Sequence, residues 1–217
     1  MIKAVIFDVD GVLLESEHLI REAEVKTFKK FGIPATIELV SQYTGIRLEE
    51  ETEDIGKKFG VSLPIEEVLK AQNENLMHFY KQIVQPTPHI KEVLNMLQLT
   101  YILGIATSRS KQMTNSALQR LDLFPYFRAF TYGEDVGKAK PDPEAFLRTA
   151  KLLDIDSSNC VVVEDSNPGF RAGKAAGMLV IARRAVHNIE TDFSSADFIV
   201  DDAREIPKIL ASQNMNI

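Results

Sequence analysis

The feature that most constrains the fold is an alternation of short apolar runs with helical segments, which extends from residue 86 to the C-terminus. The apolar runs are rich in β-branched residues, and each is followed by a segment whose apolar residues recur at helical spacing. Such an alternation predicts βαβ units and a mainly parallel sheet with helices on both faces. With one more apolar run near the N-terminus, the predicted strands are residues 2–7, 101–106, 129–131, 160–163, 178–182 and 198–200.

The first predicted strand is separated from the others by a long stretch with helical periodicity and no convincing strand. Three helices are predicted in this stretch, around residues 17–31, 48–59 and 65–83. Loops of this length without structure or function are uncommon in compact domains. The sequence therefore predicts an α/β fold: a Rossmann-like core made of residues 1–15 and 86–217, with an all-helical cap domain of residues 16–85 inserted into it.

Composition and charge indicate in which compartment the protein is expected and which classes of partner it is not expected to bind. The net charge is −6 and no basic stripe is present, which argues against a nucleic-acid partner. The apolar run Ala4–Phe7 stops at Asp8, too early for a signal peptide, and no run reaches membrane-spanning length. The single cysteine, Cys160, excludes an internal disulfide. We expect a cytoplasmic monomer with no membrane partner.

The first strand ends in two carboxylates. Asp8 and Asp10 are separated by one residue, and residues i and i+2 of an extended chain point the same way. Two such close carboxylates repel each other unless a cation lies between them or one is protonated. Gly11 allows the chain to turn directly afterwards. Taken alone, this motif is also what an ordinary strand that ends in a polar turn looks like.

Further polar residues follow the later strands. Thr107 and Ser108 follow the second predicted strand, Lys140 precedes a helix, and Glu164 and Asp165 follow the fourth predicted strand. Each feature alone fits a helix start or a solvated side chain. Because ligands bind beyond the carboxyl ends of strands in open α/β sheets, we expect them to converge. Carboxylates without histidine or cysteine favour Mg²⁺, and no glycine-rich nucleotide loop is present.

These motifs, in this order, resemble those of the haloacid dehalogenase superfamily. The resemblance is to its helical-cap phosphatase branch, the group that contains β-phosphoglucomutase and sugar-phosphate phosphatases, and it covers nearly the whole chain. The motifs that carry it are Asp8–Val12, Thr107 after an apolar strand, Lys140–Phe146 and Glu164–Ser166.

The resemblance implies roles for the four acidic residues. Asp8 would be the nucleophile that forms an aspartyl-phosphate, and Asp10 the general acid and base. Mg²⁺ would bind to Asp8, to the backbone carbonyl of Asp10 and to Asp165, with Glu164 in or near the metal shell. Dehalogenases of the superfamily lack the second aspartate, so the presence of Asp10 favours phosphoryl transfer.

The resemblance also implies the phosphate-binding groups. Thr107 and the backbone of Ser108 would hold the phosphoryl oxygens, and Lys140 would balance their charge. Lys138 competes for the lysine role because it lies only two residues away. Lys140 is preferred because it directly precedes Pro141, as in the family pattern.

Residues of the cap region distinguish a phosphatase from a mutase. The mutases carry a histidine where this chain has Ile20, and a cap lysine where it has Gln72, so a plain phosphatase is favoured. Arg47 and Arg109 are possible substrate contacts. His18 is more consistent with an exposed residue at a helix start than with a catalytic base.

The resulting hypothesis is a Mg²⁺-dependent phosphatase that hydrolyses a small phosphorylated metabolite, with sugar phosphates favoured. The alternative is a phosphomutase of the β-phosphoglucomutase type. A catalytically inactive binding protein is a third hypothesis, which the complete motif set disfavours.

Overall fold

A computed structural model describes residues 1–43 and 48–215 of the chain. The chain divides into two compact units, one made of residues 1–15 and 85–217 and the other of residues 16–84. We call them the sheet unit and the helical unit. Within the described ranges, no helix combines the length and the hydropathy that a membrane-spanning segment requires.

The sheet unit is built on six parallel strands. In chain order the strands of the protein are β1 (Ala4–Phe7), β2 (Leu14–Glu15), β3 (Gln85–Pro86), β4 (Ile102–Ala106), β5 (Ala129–Thr131), β6 (Cys160–Glu164), β7 (Leu179–Arg183) and β8 (Phe198–Val200). The six-stranded sheet has the order β5-β4-β1-β6-β7-β8, and β2 and β3 form a separate antiparallel pair. The predicted Rossmann-like α/β class is confirmed.

The register of the central strands places their carboxyl ends at one edge. Phe7, the last residue of β1, is level with Ile105 of β4 and with Val163 of β6. All four residues of β1 are fully buried, as expected for a central strand that has helices on both faces. The residues that directly follow β1, β4 and β6 therefore emerge side by side.

Helices cover the sheet and form the second unit. They are α1 (Glu17–Lys30), α2 (Ile37–Ser41), α3 (Leu48–Phe59), α4 (Ile65–Gln82), α5 (Ile90–Leu97), α6 (Lys111–Arg120), α7 (Glu144–Leu152), α8 (Asn167–Ala175) and α9 (Ile206–Met215). One core cluster packs Phe146 of α7 and Phe170 of α8 against Ile6, Val162 and Val180 of the sheet. This packing holds the starts of α7 and α8 close to the carboxyl edge of the sheet.

The helical unit has its own core and one helix that periodicity did not predict. Phe28 of α1, Val40 of α2, Ile55 of α3 and Val68 of α4 belong to one buried cluster. The unpredicted helix, α2, has only five residues, too few for a helical period to show. Its start is marked by Thr36, whose side chain accepts a hydrogen bond from the Leu39 N–H.

A buried carboxylate lies in the helical unit. Glu51 is 2% exposed, and its Oε1 has no hydrogen-bond partner among the residues that the structure describes. Burial, together with the nearby Glu24 carboxylate, raises the pKa of Glu51 to about 8, and the Arg21 guanidinium opposes this rise. Arg21 Nη1 itself lies 2.8 Å from Glu24 Oε2. Ionised Glu51 is therefore destabilising.

We expect Glu51→Gln to stabilise the protein in a pH-dependent way. Because the pKa is higher in the folded than in the unfolded state, stability falls as the pH rises from about 4.5 to about 8. The variant should raise the free energy of unfolding by about 1–2 kcal/mol at pH 8 and by little near pH 4.5. Urea denaturation at both pH values measures this difference. Glu53→Gln, an exposed change on the same helix, is the control. A loss of stability in Glu51→Gln at pH 8 would contradict the prediction.

Candidate active site

The centre of the site is an ion pair between the end of β1 and the loop that leads into α7. Asp8 directly follows β1, and its backbone N–H donates to the Val163 carbonyl at 2.9 Å. Lys140 Nζ lies 2.6 Å from Asp8 Oδ1 and donates to the Ala106 carbonyl at 3.2 Å. Lys140 also lies over the ring of Phe146, 4.9 Å from its centroid. The lysine is thus held by three elements of the sheet unit.

The second partner of Lys140 is Glu164, at the end of β6. Glu164 Oε1 accepts from Lys140 Nζ at 2.7 Å. Glu164 Oε2 accepts from the backbone N–H groups of Asp165 and Ser166, each at 2.8 Å. The carboxylate lies so close to α8 that a Cβ atom at Gly169 would be 1.9 Å from its Cδ. Glu164 therefore holds Lys140 in place, and its two oxygens already accept from protein donors.

Burial and charge act on this pair in opposite directions. Burial raises the pKa of Asp8; the Lys140 ammonium lowers it, and the carboxylates of Glu164 and Asp10 raise it further. Burial lowers the pKa of Lys140, but the Asp8 and Glu164 carboxylates together raise it well above its usual range. Lys140 is therefore a permanent cation, and the site still has an excess of negative charge.

The second aspartate of the motif has a different partner. Arg109 Nε lies 2.6 Å from Asp10 Oδ2, and the Arg109 side chain is partly exposed. Arg109 was predicted as a possible substrate contact, and its contact with Asp10 was not foreseen. The arrangement places one cation beside each aspartate.

Thr107 and Ser108 lie where β4 ends. Thr107 is buried, and its backbone N–H donates to the Thr131 carbonyl at 3.0 Å, extending the β4–β5 ladder by one residue. The Thr107 hydroxyl accepts from the Arg109 N–H at 3.1 Å. This turn orients the backbone of residues 107–109 just after β4, beside the end of β1.

The last predicted acidic residue, Asp165, packs against the turn that follows Asp10. A Cβ atom at Gly11 would lie 1.8 Å from Asp165 Oδ2, so only glycine allows this approach. Gly11 also has a φ of +67°, in the left-handed region. His187 Nε2 lies 2.7 Å from the same Asp165 oxygen.

The end of β7 and the loop that follows it contribute residues that sequence reasoning missed. Buried Arg183 donates from Nη1 to the Gly11 carbonyl, and its Nη2 lies 2.7 Å from Glu15 Oε1. Asn188 donates to the Asp165 carbonyl at 2.7 Å. The available signal was topological: β7 is parallel to β6, so the residues that follow it emerge at the same edge.

The donor set fits a hard divalent cation. Asp8 and Asp165 would offer carboxylate oxygens, and the resemblance adds the backbone carbonyl of Asp10; these are ligands that Mg²⁺ prefers. The glycine at position 11 lets Asp165 approach the turn, and a further cation near Asp8 would stabilise its ionised form, whose pKa is raised by burial and by the Glu164 and Asp10 carboxylates. Among the residues that the structure describes, however, no three acidic, histidine or cysteine side chains form a ready-made metal cluster. Lys140 and His187 instead contact the carboxylates.

The remaining candidates are Lys138, His18 and Arg47. The Lys138 side chain is 75% exposed and lies 3.5 Å from Asp142 Oδ2, whereas that of Lys140 is 8% exposed. His18 is exposed in the helical unit. Arg47 lies outside the described residues.

Comparison with known proteins identifies the family. The model of the haloacid dehalogenase-like hydrolases matches residues 5–183. The chain belongs to this family. It is 32% identical over 177 residues to a phosphorylated carbohydrates phosphatase of Thermotoga maritima, covering 81% of this chain and 82% of the relative. It is also 30% identical to the β-phosphoglucomutase of Bacillus subtilis, with 82% of each chain covered.

A solved structure shows the same architecture. The structure of CbbY from Rhodobacter sphaeroides in complex with phosphate has a TM-score of 0.81 and 25% identity, covering 95% of this chain and 96% of CbbY. The expected membership of the haloacid dehalogenase superfamily is therefore confirmed. The chain is a hydrolase of this family.

Proposed function

We propose that this hydrolase is a Mg²⁺-dependent phosphatase that acts on a small phosphorylated metabolite through an aspartyl-phosphate on Asp8. The observation that carries the proposal is the contact of Lys140 with both Asp8 and Glu164 at the carboxyl edge of the sheet. A carboxylate that attacks a phosphate dianion must overcome like-charge repulsion, and a fixed ammonium beside it lowers that cost.

The first chemical step forms the aspartyl-phosphate. An Asp8 oxygen attacks phosphorus, the bond from phosphorus to the substrate oxygen breaks, and Asp10 gives its proton to that leaving oxygen. The hydroxyl of Thr107 and the backbone of Ser108 hold the phosphoryl oxygens, while Lys140 balances their charge. Asp8, Asp165 and the Asp10 carbonyl would hold a Mg²⁺ ion, which would supply further charge neutralisation.

The second step releases phosphate. Asp10, now a carboxylate, accepts a proton from water as the water oxygen attacks phosphorus. The bond from phosphorus to Asp8 breaks, which restores both aspartates to their starting states. Arg109, at 2.6 Å from Asp10 Oδ2, orients this carboxylate between the two steps.

Phosphatase activity is favoured over mutase activity by two residues of the helical unit. Gln72 is buried, and its Oε1 accepts from the Thr27 hydroxyl at 2.8 Å, so it joins α1 to α4. Ile20 is buried and apolar. Within this proposal residues 16–84 act as the cap that selects the substrate. Arg47 is a proposed substrate contact, and a sugar phosphate is supported by similarity to the phosphatase of Thermotoga maritima.

A panel of phosphorylated metabolites, assayed with Mg²⁺ and then with EDTA, tests the proposal. We expect phosphate release from one or more sugar phosphates, and a loss of at least about 100-fold in EDTA, because a bound metal ion stabilises the transition state by several kcal/mol. Conversion of β-glucose 1-phosphate to glucose 6-phosphate without phosphate release would show a mutase. Inactivity on the whole panel, with tight retention of one metabolite, would show a binding protein.

A further inference from the structure

His187 contacts one of the proposed metal ligands, although it belongs to none of the sequence motifs. It lies on the loop that follows β7, and its Nε2 is 2.7 Å from Asp165 Oδ2. The His187 side chain is 23% exposed and that of Asp165 is 9% exposed, so the contact is largely screened from solvent. The Nε2 atom also lies 2.9 Å from where a Cβ atom at Gly11 would be. The imidazole therefore lies against the turn at Gly11 and against Asp165.

The loop that carries His187 is fixed to Asp165 by a second residue. Asn188 is buried, and its Nδ2 donates to the carbonyls of Asp165 and Arg183 at 2.7 and 2.9 Å. Its Oδ1 accepts from the Ala185 N–H at 2.7 Å. The loop thus holds both the backbone and the side chain of Asp165, which restricts where the imidazole can lie.

A hydrogen bond to one oxygen of a metal-binding carboxylate has a known consequence. It restricts rotation of the carboxylate, so the side chain loses less conformational entropy when the cation binds. Groups that orient metal ligands in this way typically change metal affinity by about 10–100-fold when they are removed. A neutral imidazole with its proton on Nε2 suffices as the donor, so no charge on His187 is required.

We propose that His187 is a positioning residue for the divalent cation and acts by orienting Asp165. This inference rests on the proposed function, in which Asp165 is a ligand of Mg²⁺. The test separates this role from the opposite one, in which an imidazole that occupies Asp165 Oδ2 competes with the cation. The two effects differ in sign, because competition predicts tighter metal binding once the imidazole is removed.

Cation binding to the metal-free protein tests the inference without any assay of activity. The protein is stripped with EDTA and desalted, and Mg²⁺ and Mn²⁺ are titrated by isothermal titration calorimetry. We expect His187→Ala to weaken the affinity for both ions by about 10–100-fold. His187→Gln should bind within a factor of about 3 of wild type, because its amide also donates a hydrogen bond. Val186→Ala, on the same loop at a residue that is 93% exposed, should leave the affinity unchanged.

The Asp165→Asn variant separates failure of the inference from failure of the proposed function. If Asp165→Asn binds the ions as wild type does, or if wild type binds neither ion, the metal assignment is wrong and the inference falls with it. If Asp165→Asn loses binding while His187→Ala binds as tightly as wild type or more tightly, only the role of His187 is overturned. Circular dichroism in EDTA checks that each variant is folded, and His187→Gln serves if the alanine variant is not.

Discussion

Asp8→Asn is expected to abolish phosphate release, with a loss of at least about 10⁴-fold in kcat, because the change removes the attacking oxyanion while it keeps the shape of the side chain. Asn is a close isostere, and its amide oxygen can still accept from Lys140. Lys140 also keeps Glu164 as a partner, so no buried cation is left without a counter-charge. The variant should therefore remain folded.

The loss is measured as phosphate release from the best substrate of the panel, with Mg²⁺ present. Acid quenching with a labelled substrate should also trap a phosphoenzyme in wild type and none in the variant. Asp122→Asn is the matched control: Asp122 is 81% exposed and has a φ of 55°, a conformation that Asn adopts readily. Activity within about tenfold of wild type in Asp8→Asn would show that Asp8 is not the nucleophile.

Lys140→Met is expected to reduce both activity and stability. Lys140 lies 2.6 Å from Asp8 and 2.7 Å from Glu164, so its loss leaves two buried carboxylates facing each other. Breaking a buried ion pair in this way typically costs about 3–5 kcal/mol of stability. Removal of the fixed charge should lower kcat by about 10²–10³-fold. Urea denaturation and phosphate release measure the two effects.

Two further variants make the Lys140 prediction specific. Lys138→Met, two residues earlier and on an exposed side chain, should behave as wild type in both assays. Combining Lys140→Met with Glu164→Gln should recover part of the stability and none of the activity, since it removes one uncompensated charge without replacing the ammonium. If Lys138→Met lost activity while Lys140→Met kept it, the lysine assignment would have to be exchanged.

The carboxyl ends of the strands could be predicted from sequence, because the features that mark them lie in neighbouring residues. Each strand is a short run of apolar residues, and Asp8 directly follows β1 as Thr107 follows β4 and Asp165 follows β6. The parallel order of the strands then requires these residues to emerge at one edge. The α2 helix escaped prediction because five residues are too few to reveal a period.

The pairing of cations with carboxylates in the site could not be predicted in the same way. The motif left open whether a cation lies between Asp8 and Asp10 or one of them is protonated, and it did not indicate that Lys140 contacts the first and Arg109 the second. The choice between Lys138 and Lys140 depended on family pattern alone, because neither spacing nor charge distinguishes them. The contact of Lys140 with Asp8 joins residues that are 132 positions apart.

The sequence by itself determined the class of fold and the acidic residues at the strand ends, because hydrophobic period and strand polarity are properties of neighbouring residues. Only the tertiary structure decided which cation contacts which carboxylate, and only it brought Arg183 and His187 to the turn at Gly11 and Asn188 to the backbone of Asp165. These contacts depend on the parallel pairing of β7 with β6 and on the absence of a side chain at Gly11. Both are relations between distant segments, which no local pattern records.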